Sequence, residues 1–100
     1  MNANPDVSKL PKISGYGDYS SKNYGVNSLR VSFERLTLYY SYETIVAVDS
    51  PLGLFVSENN WGVTTGKHLN WINRNKKDRL PYDKFVKKVE EALVHFGLIQ

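Results

Sequence analysis

Between Tyr82 and Phe96, apolar residues fall at positions 82, 85, 86, 89, 92, 93 and 96. Steps of three and one place them all on a single stripe of an α-helix. The opposite side carries Lys84, Lys87, Lys88, Glu91 and His95. A helix with one apolar face must lie on an apolar surface, and this requirement constrains everything that precedes it. The ends fit the reading. Pro81 suits helix entry, Asp83 sets a carboxylate against the positive end of the dipole, and Gly97 is a natural stop.

The preceding residues read as the sheet that such a helix needs. Leu29, Val31 and Phe33 alternate with Ser28, Arg30 and Ser32, the period of a half-buried strand. In the next run Leu36, Leu38, Tyr40 and Tyr42 share one face, and Thr37, Tyr39, Ser41 and Glu43 the other. Ile45 to Val48 is a third, β-branched run, bent from the second by a bulge near Tyr42–Thr44. Asp49-Ser50-Pro51-Leu52-Gly53 has turn chemistry, so residues 45–57 read as a hairpin. His68 to Asn73 alternates again and is expected to close the sheet, with Leu69 and Trp71 buried. Strands followed by a helix predict an α+β fold: a small antiparallel β-sheet with one C-terminal α-helix packed on one face.

One hundred residues make one domain, able to bury roughly two thirds of its unfolded surface. Residues 1–12, with Pro5 and Pro11 and no periodicity, are expected as a flexible N-terminal arm, and residues 13–100 as the single domain. Residues 13–27 hold three Gly, three Tyr and three Ser and read as a loop or irregular ribbon. Tyr16, Tyr19 and Tyr24 are expected to lay their rings on the sheet with hydroxyls outward. The chain has no cysteine, which excludes disulfides, thiolate nucleophiles and Cys-based zinc sites. The first residues show no apolar region of a signal peptide, and no apolar run approaches the roughly 18 residues of a membrane span.

Chemistry concentrates in Glu58–Lys77, ENNWGVTTGKHLNWINRNKK, with two Trp and five Asn. Gly66-Lys67 has the look of a phosphate loop. However, position 61 is Trp where that loop needs Gly, and position 68 is His where it needs Ser or Thr. Thr64-Thr65-Gly66 then reads as a loop with Gly at a special φ, or as a turn aiming N–H groups and hydroxyls at an anion beside Lys67. His68 and His95 are the two histidines, and no acidic cluster of ligand spacing joins them, so no metal and no cofactor is expected. A general base needs an oriented partner, and none is visible beyond Glu58, so no catalytic residue is assigned.

The segment is expected to combine a buried base, formed by Leu69, Trp71 and Val63, with a presented surface. Trp61, Thr64, Thr65, Lys67, His68 and Asn70 form that partner-binding surface, flanked by Arg74 and Lys76. Charge reinforces it. Residues 1–66 carry five Lys/Arg against six Asp/Glu, whereas residues 67–88 carry eight against two. Such a strip attracts phosphate or an acidic protein surface, or is a solvated face. Lys77, Arg79, Lys84 and Lys88, with Tyr39 as a stacking platform, are its candidate nucleic-acid contacts.

The strings YGDYSSKNYG (16–25), LYYSYETIVAV (38–48) and WGVTTGKHLNWI (61–72) resemble a small domain of unknown function found in tailed phages and archaeal viruses. The resemblance implies a virus-encoded accessory protein acting in a host cytoplasm, and it carries no catalytic residue. Three functions stay open. The leading one is a non-enzymatic protein that docks on and modulates or inhibits a host protein or a protein–nucleic-acid defence complex. The others are direct nucleic-acid binding through the 67–88 strip, and a nucleotide-binding protein or small enzyme using the Thr64–His68 loop. No membrane partner is expected, and the sequence leaves the oligomeric state open.

Overall fold

Five strands form one antiparallel sheet: β1 (Lys12–Gly15), β2 (Ser28–Ser32), β3 (Thr37–Ser41), β4 (Thr44–Ser50) and β5 (Gly53–Val56). Every strand pairs with its neighbour in sequence, so the sheet is a meander. Two α-helices follow, α1 (Val63–Ile72) and α2 (Tyr82–His95), joined by a 3₁₀ turn at Lys76–Asp78. This computed structural model describes residues 10–17 and 27–100. Tyr19, Tyr24 and most of the expected N-terminal arm lie outside those residues. Lys12, expected as arm, is already the first residue of β1.

The α+β fold and the C-terminal helix are as expected, but the sheet is covered on both faces. Leu38, Val48 and Phe55 are register partners across β3, β4 and β5, so their side chains share one face. With Leu36 they pack against Phe85, Val89 and Ala92 of α2. The adjacent residues Tyr39, Ala47 and Val56 are also register partners and face the other way, where Leu69 and Ile72 of α1 cover them. Each fully buried aliphatic or Phe side chain contributes about 1.5–3 kcal/mol of transfer free energy.

The segment expected to close the sheet as a strand, His68–Asn73, is therefore mostly helix, and the Thr64–His68 loop lies within that helix. The bulge is also displaced. Ser41 and Thr44 pair directly across the two-residue turn Tyr42-Glu43, with Tyr42 at φ 56°. Tyr40 pairs with Ile45 and Tyr39 with Ala47, which leaves Val46 as the extra residue. Val46 and Ala47 consequently both join the cluster beneath α1. The expected burial of Leu29 fails too. Leu29 and Ile13 sit on the α2 side over β1 and β2 and are exposed, whereas Ser28 on the other face is fully buried.

Gly97 ends α2 as its position suggests. It lies at φ +76°, its N–H reaches the Val94 carbonyl at 3.0 Å, and the Leu98 N–H reaches the Leu93 carbonyl at 2.8 Å. That paired pattern is a Schellman cap. A Cβ at residue 97 would meet nothing within 4 Å, so only backbone strain opposes a side chain. Gly97→Ala is expected to destabilise the domain by about 1 kcal/mol, read as a lower urea midpoint with unchanged slope.

Candidate functional site

The entry to α1 is organised by one side chain. Asn59 Oδ1 accepts from the Trp61 N–H at 3.0 Å, and its Nδ2 donates to the Gly62 carbonyl at 3.0 Å. Gly62, the N-cap, has no side chain to offer, so Asn59 fixes the turn in its place. The helix then turns Thr65, His68 and Leu69 inward.

Beneath it lies a buried polar cluster. Ser41 Oγ is 2.8 Å from Thr65 Oγ1 and 2.7 Å from His68 Nδ1. His68 is fully buried and Ser41 nearly so. Rings close the cluster. Tyr16 packs at 5.1 Å from Tyr39, 6.0 Å from His68 and 5.4 Å from Trp71, between ring centroids. Its hydroxyl donates to the Tyr40 carbonyl at 2.8 Å, so it points into the protein and not outward. A Ser–His contact has the makings of an activated nucleophile, but a nucleophile needs an approach for its substrate, and burial closes this one. What the cluster does physically is to pin α1 to β3.

The presented surface therefore differs from the expected one. Thr65 and His68 are buried and face the sheet, Thr64 is half-buried, and Asn70 is half-buried against Arg79. Val63 and Trp71, expected in the core, are 74% and 46% exposed. Val63, Lys67 and Trp71 follow one another at four-residue steps, so one outward stripe of α1 carries all three. Trp61 is exposed as expected, and its ring meets that of the exposed Tyr82 edge-on at 5.6 Å. The sequence reading missed the roles of Val63 and Tyr82. The four-residue spacing was the signal for Val63, legible only once the segment is taken as a helix.

The basic strip is likewise divided. Asn75 caps the 3₁₀ turn, accepting from the Lys77 N–H at 3.1 Å and donating to Asp78 Oδ2 at 3.0 Å. Arg74, Lys76, Lys77 and Lys84 are exposed. Arg79 is not. Its Nη2 donates to Asn70 Oδ1 at 3.0 Å and to the Asn73 carbonyl at 2.9 Å, and burial lowers its pKa from the ordinary value. Lys88 lies 5.4 Å over the Phe55 ring and 3.6 Å from Glu91, the one ion pair among the described residues. Tyr39 packs beneath α1, so it offers no open stacking face. Among the described residues no group of three or more His, Asp or Glu is placed to hold a metal ion, and no helix is long and apolar enough to cross a membrane.

A model described as a family of unknown function, DUF8033, matches residues 10–87, from the start of β1 into α2 and including all of α1. Comparison with curated proteins and with solved structures gives no match. The chain belongs to the DUF8033 family.

Proposed function

We propose that this member of DUF8033 is a non-enzymatic, virus-encoded binding protein that docks on an acidic surface of a host protein or defence complex in the host cytoplasm. The observation that carries the reading is two pairs of exposed large side chains, Trp61 with Tyr82 and Val63 with Trp71 on the outward stripe of α1, together with the exposed cations Lys67, Arg74, Lys76 and Lys77, which make no ion pair among the described residues. Rigid aromatics supply contact area at low entropic cost, and unpaired cations supply steering and charge-assisted hydrogen bonds. The viral origin rests on the sequence resemblance. The Thr64–His68 string supports a nucleotide site poorly, because the Thr65 hydroxyl and the His68 ring are engaged with Ser41.

The exposed cations favour direct nucleic-acid binding as the second reading. It ranks lower because Arg79 is buried, Lys88 is engaged with Phe55 and Glu91, and Tyr39 is covered.

Capture from host lysate, with and without nuclease, separates the two readings. Retention of a protein partner after nuclease is expected, and its loss favours nucleic acid. Against the captured partner, Trp61→Ala and Lys67→Glu are each expected to weaken binding by about 2 kcal/mol, roughly 30-fold in Kd. Thermal stability should stay near that of the parent. Trp71→Ala is expected to weaken binding and stability together, since the ring is both exposed and packed on Tyr16. Variants of Trp61 and Lys67 that bind like the parent would overturn the docking surface.

A further inference from the structure

We propose that the groove between the turn before α1, the Gly66 and Asn70 side of α1 and the 3₁₀ turn binds a phosphate group carried on a small polar molecule. Glu58, Asn59, Gly66, Asn70, Lys76 and Arg79 line this depression of about 240 Å³. None of the exposed aromatics of the docking surface contributes to it, and Lys76 alone is common to the two sites.

Arg79 carries the argument. It is 8% exposed, and its Nε–H is buried with no hydrogen-bond partner. Among the described residues no carboxylate lies within ion-pair distance of it. A guanidinium does not shed its charge on burial as a lysine can. Its two acceptors, the Asn70 side chain and the Asn73 carbonyl, are neutral. The negative end of the α1 dipole offsets part of the burial cost. A cation largely withdrawn from water and offered only neutral acceptors still favours an anion brought against the part of its guanidinium that lines the groove.

The rest of the lining fits that anion. Lys76 brings a second positive charge, and the amides of Asn59 and Asn70 line the wall. Gly66 keeps the wall tight, because a Cβ there would stand 3.0 Å from Asn59 Nδ2. Two cations against the single carboxylate of Glu58 leave a positive balance, and Glu58 adds an acceptor for a hydroxyl neighbouring the phosphate. The volume lies below the roughly 300 Å³ at which drug-sized pockets begin, so the ligand is a compact phosphate monoester bearing a hydroxyl.

The test is NMR titration of the ¹⁵N-labelled full chain with inorganic phosphate and then glycerol 3-phosphate, against sodium chloride at matched ionic strength. Saturable shifts are expected at the Arg79 Nε–H, the Asn70 side-chain amide and the Gly66 N–H. Glycerol 3-phosphate should bind more tightly than inorganic phosphate, and Glu58→Gln should remove that advantage. Arg79 variants risk unfolding, so Lys76→Gln is the deciding substitution. It should weaken phosphate about tenfold, the worth of one charge-assisted contact, with an unchanged ligand-free melting temperature. Shifts that only track chloride, or Lys76→Gln binding phosphate like the parent, overturn the site. Equal affinity for the two phosphates overturns the hydroxyl-bearing ligand.

Discussion

Val89→Asp should leave the domain largely unfolded at neutral pH. Val89 is 7% exposed and sits between Phe85 and Ala92 in the cluster that joins α2 to the sheet. The substitution removes buried methyl groups and places a carboxylate among apolar ones, at a cost of several kcal/mol. A domain of this size is stable by only about 5–15 kcal/mol. The loss should also carry a pH signature. An unpartnered buried carboxyl has its folded-state pKa raised above the unfolded value. The folded variant then binds more protons than the unfolded one, so its stability falls as pH rises. Urea unfolding should show a smaller deficit near pH 4 than near pH 7. Phe85→Ala is the uncharged control, at about 3–5 kcal/mol with no such pH dependence relative to the parent. A parent-like urea midpoint for both variants would mean that α2 does not cover this face.

The second large effect is expected at Ser41. Its hydroxyl is the shared partner of Thr65 and His68, and all three side chains are buried. Ser41→Ala removes both hydrogen bonds while leaving the other two groups in place, a loss of about 1–3 kcal/mol for each buried group deprived of its partner. Thr65→Val, nearly the same shape, should cost less, because the Ser41–His68 contact survives. In a double-mutant cycle the Ser41→Ala and Thr65→Val effects should fail to add by at least about 0.5 kcal/mol. Additive costs would show that the cluster is not an energetic unit. Loss of hydrogen-exchange protection through α1 ahead of α2 would report the same pinning directly.

Helix α2 was legible because burial there selects apolar side chains at a period of 3.6. Strands β3 to β5 were legible because their buried residues, Ser41 apart, are apolar and their runs are rich in β-branched and aromatic side chains. Strand β2 was legible from an alternation that its burial does not follow, since Leu29 is exposed and Ser28 buried. Helix α1 was not. Its inward residues Thr65, His68, Leu69 and Ile72 do follow the helical steps of three, one and three. Two of the four are polar, because the sheet offers them the Ser41 hydroxyl instead of an apolar surface. The outward stripe meanwhile carries Val63 and Trp71, so the apolar signal pointed the wrong way. Local preference added to the error, since Val, Thr, Gly, Trp and Ile are weak helix formers and tertiary packing overrode them. Strand β1 was invisible for a different reason. All four of its residues are exposed, so burial imposed no alternation on it. At the candidate site, the exposure of Trp61 and Lys67 was expected from residue type and position, and both are exposed. Arg79 was misplaced, because no sequence pattern distinguishes a surface arginine from one drawn under the end of a helix.

The meander also sets an order of events during synthesis. Each hairpin can close with the strand just made, so the sheet needs no distant segment and its pairing is rapid. Among the described residues, both helices lie after the last strand. A sheet that paired before either helix reached it would leave Val48 and Phe55 bare on one side and Ala47 and Val56 bare on the other. One side would stay bare until α1 docked, and the second until α2 did. A sheet in that condition displays two apolar faces, which is where a holding chaperone would have most to bind.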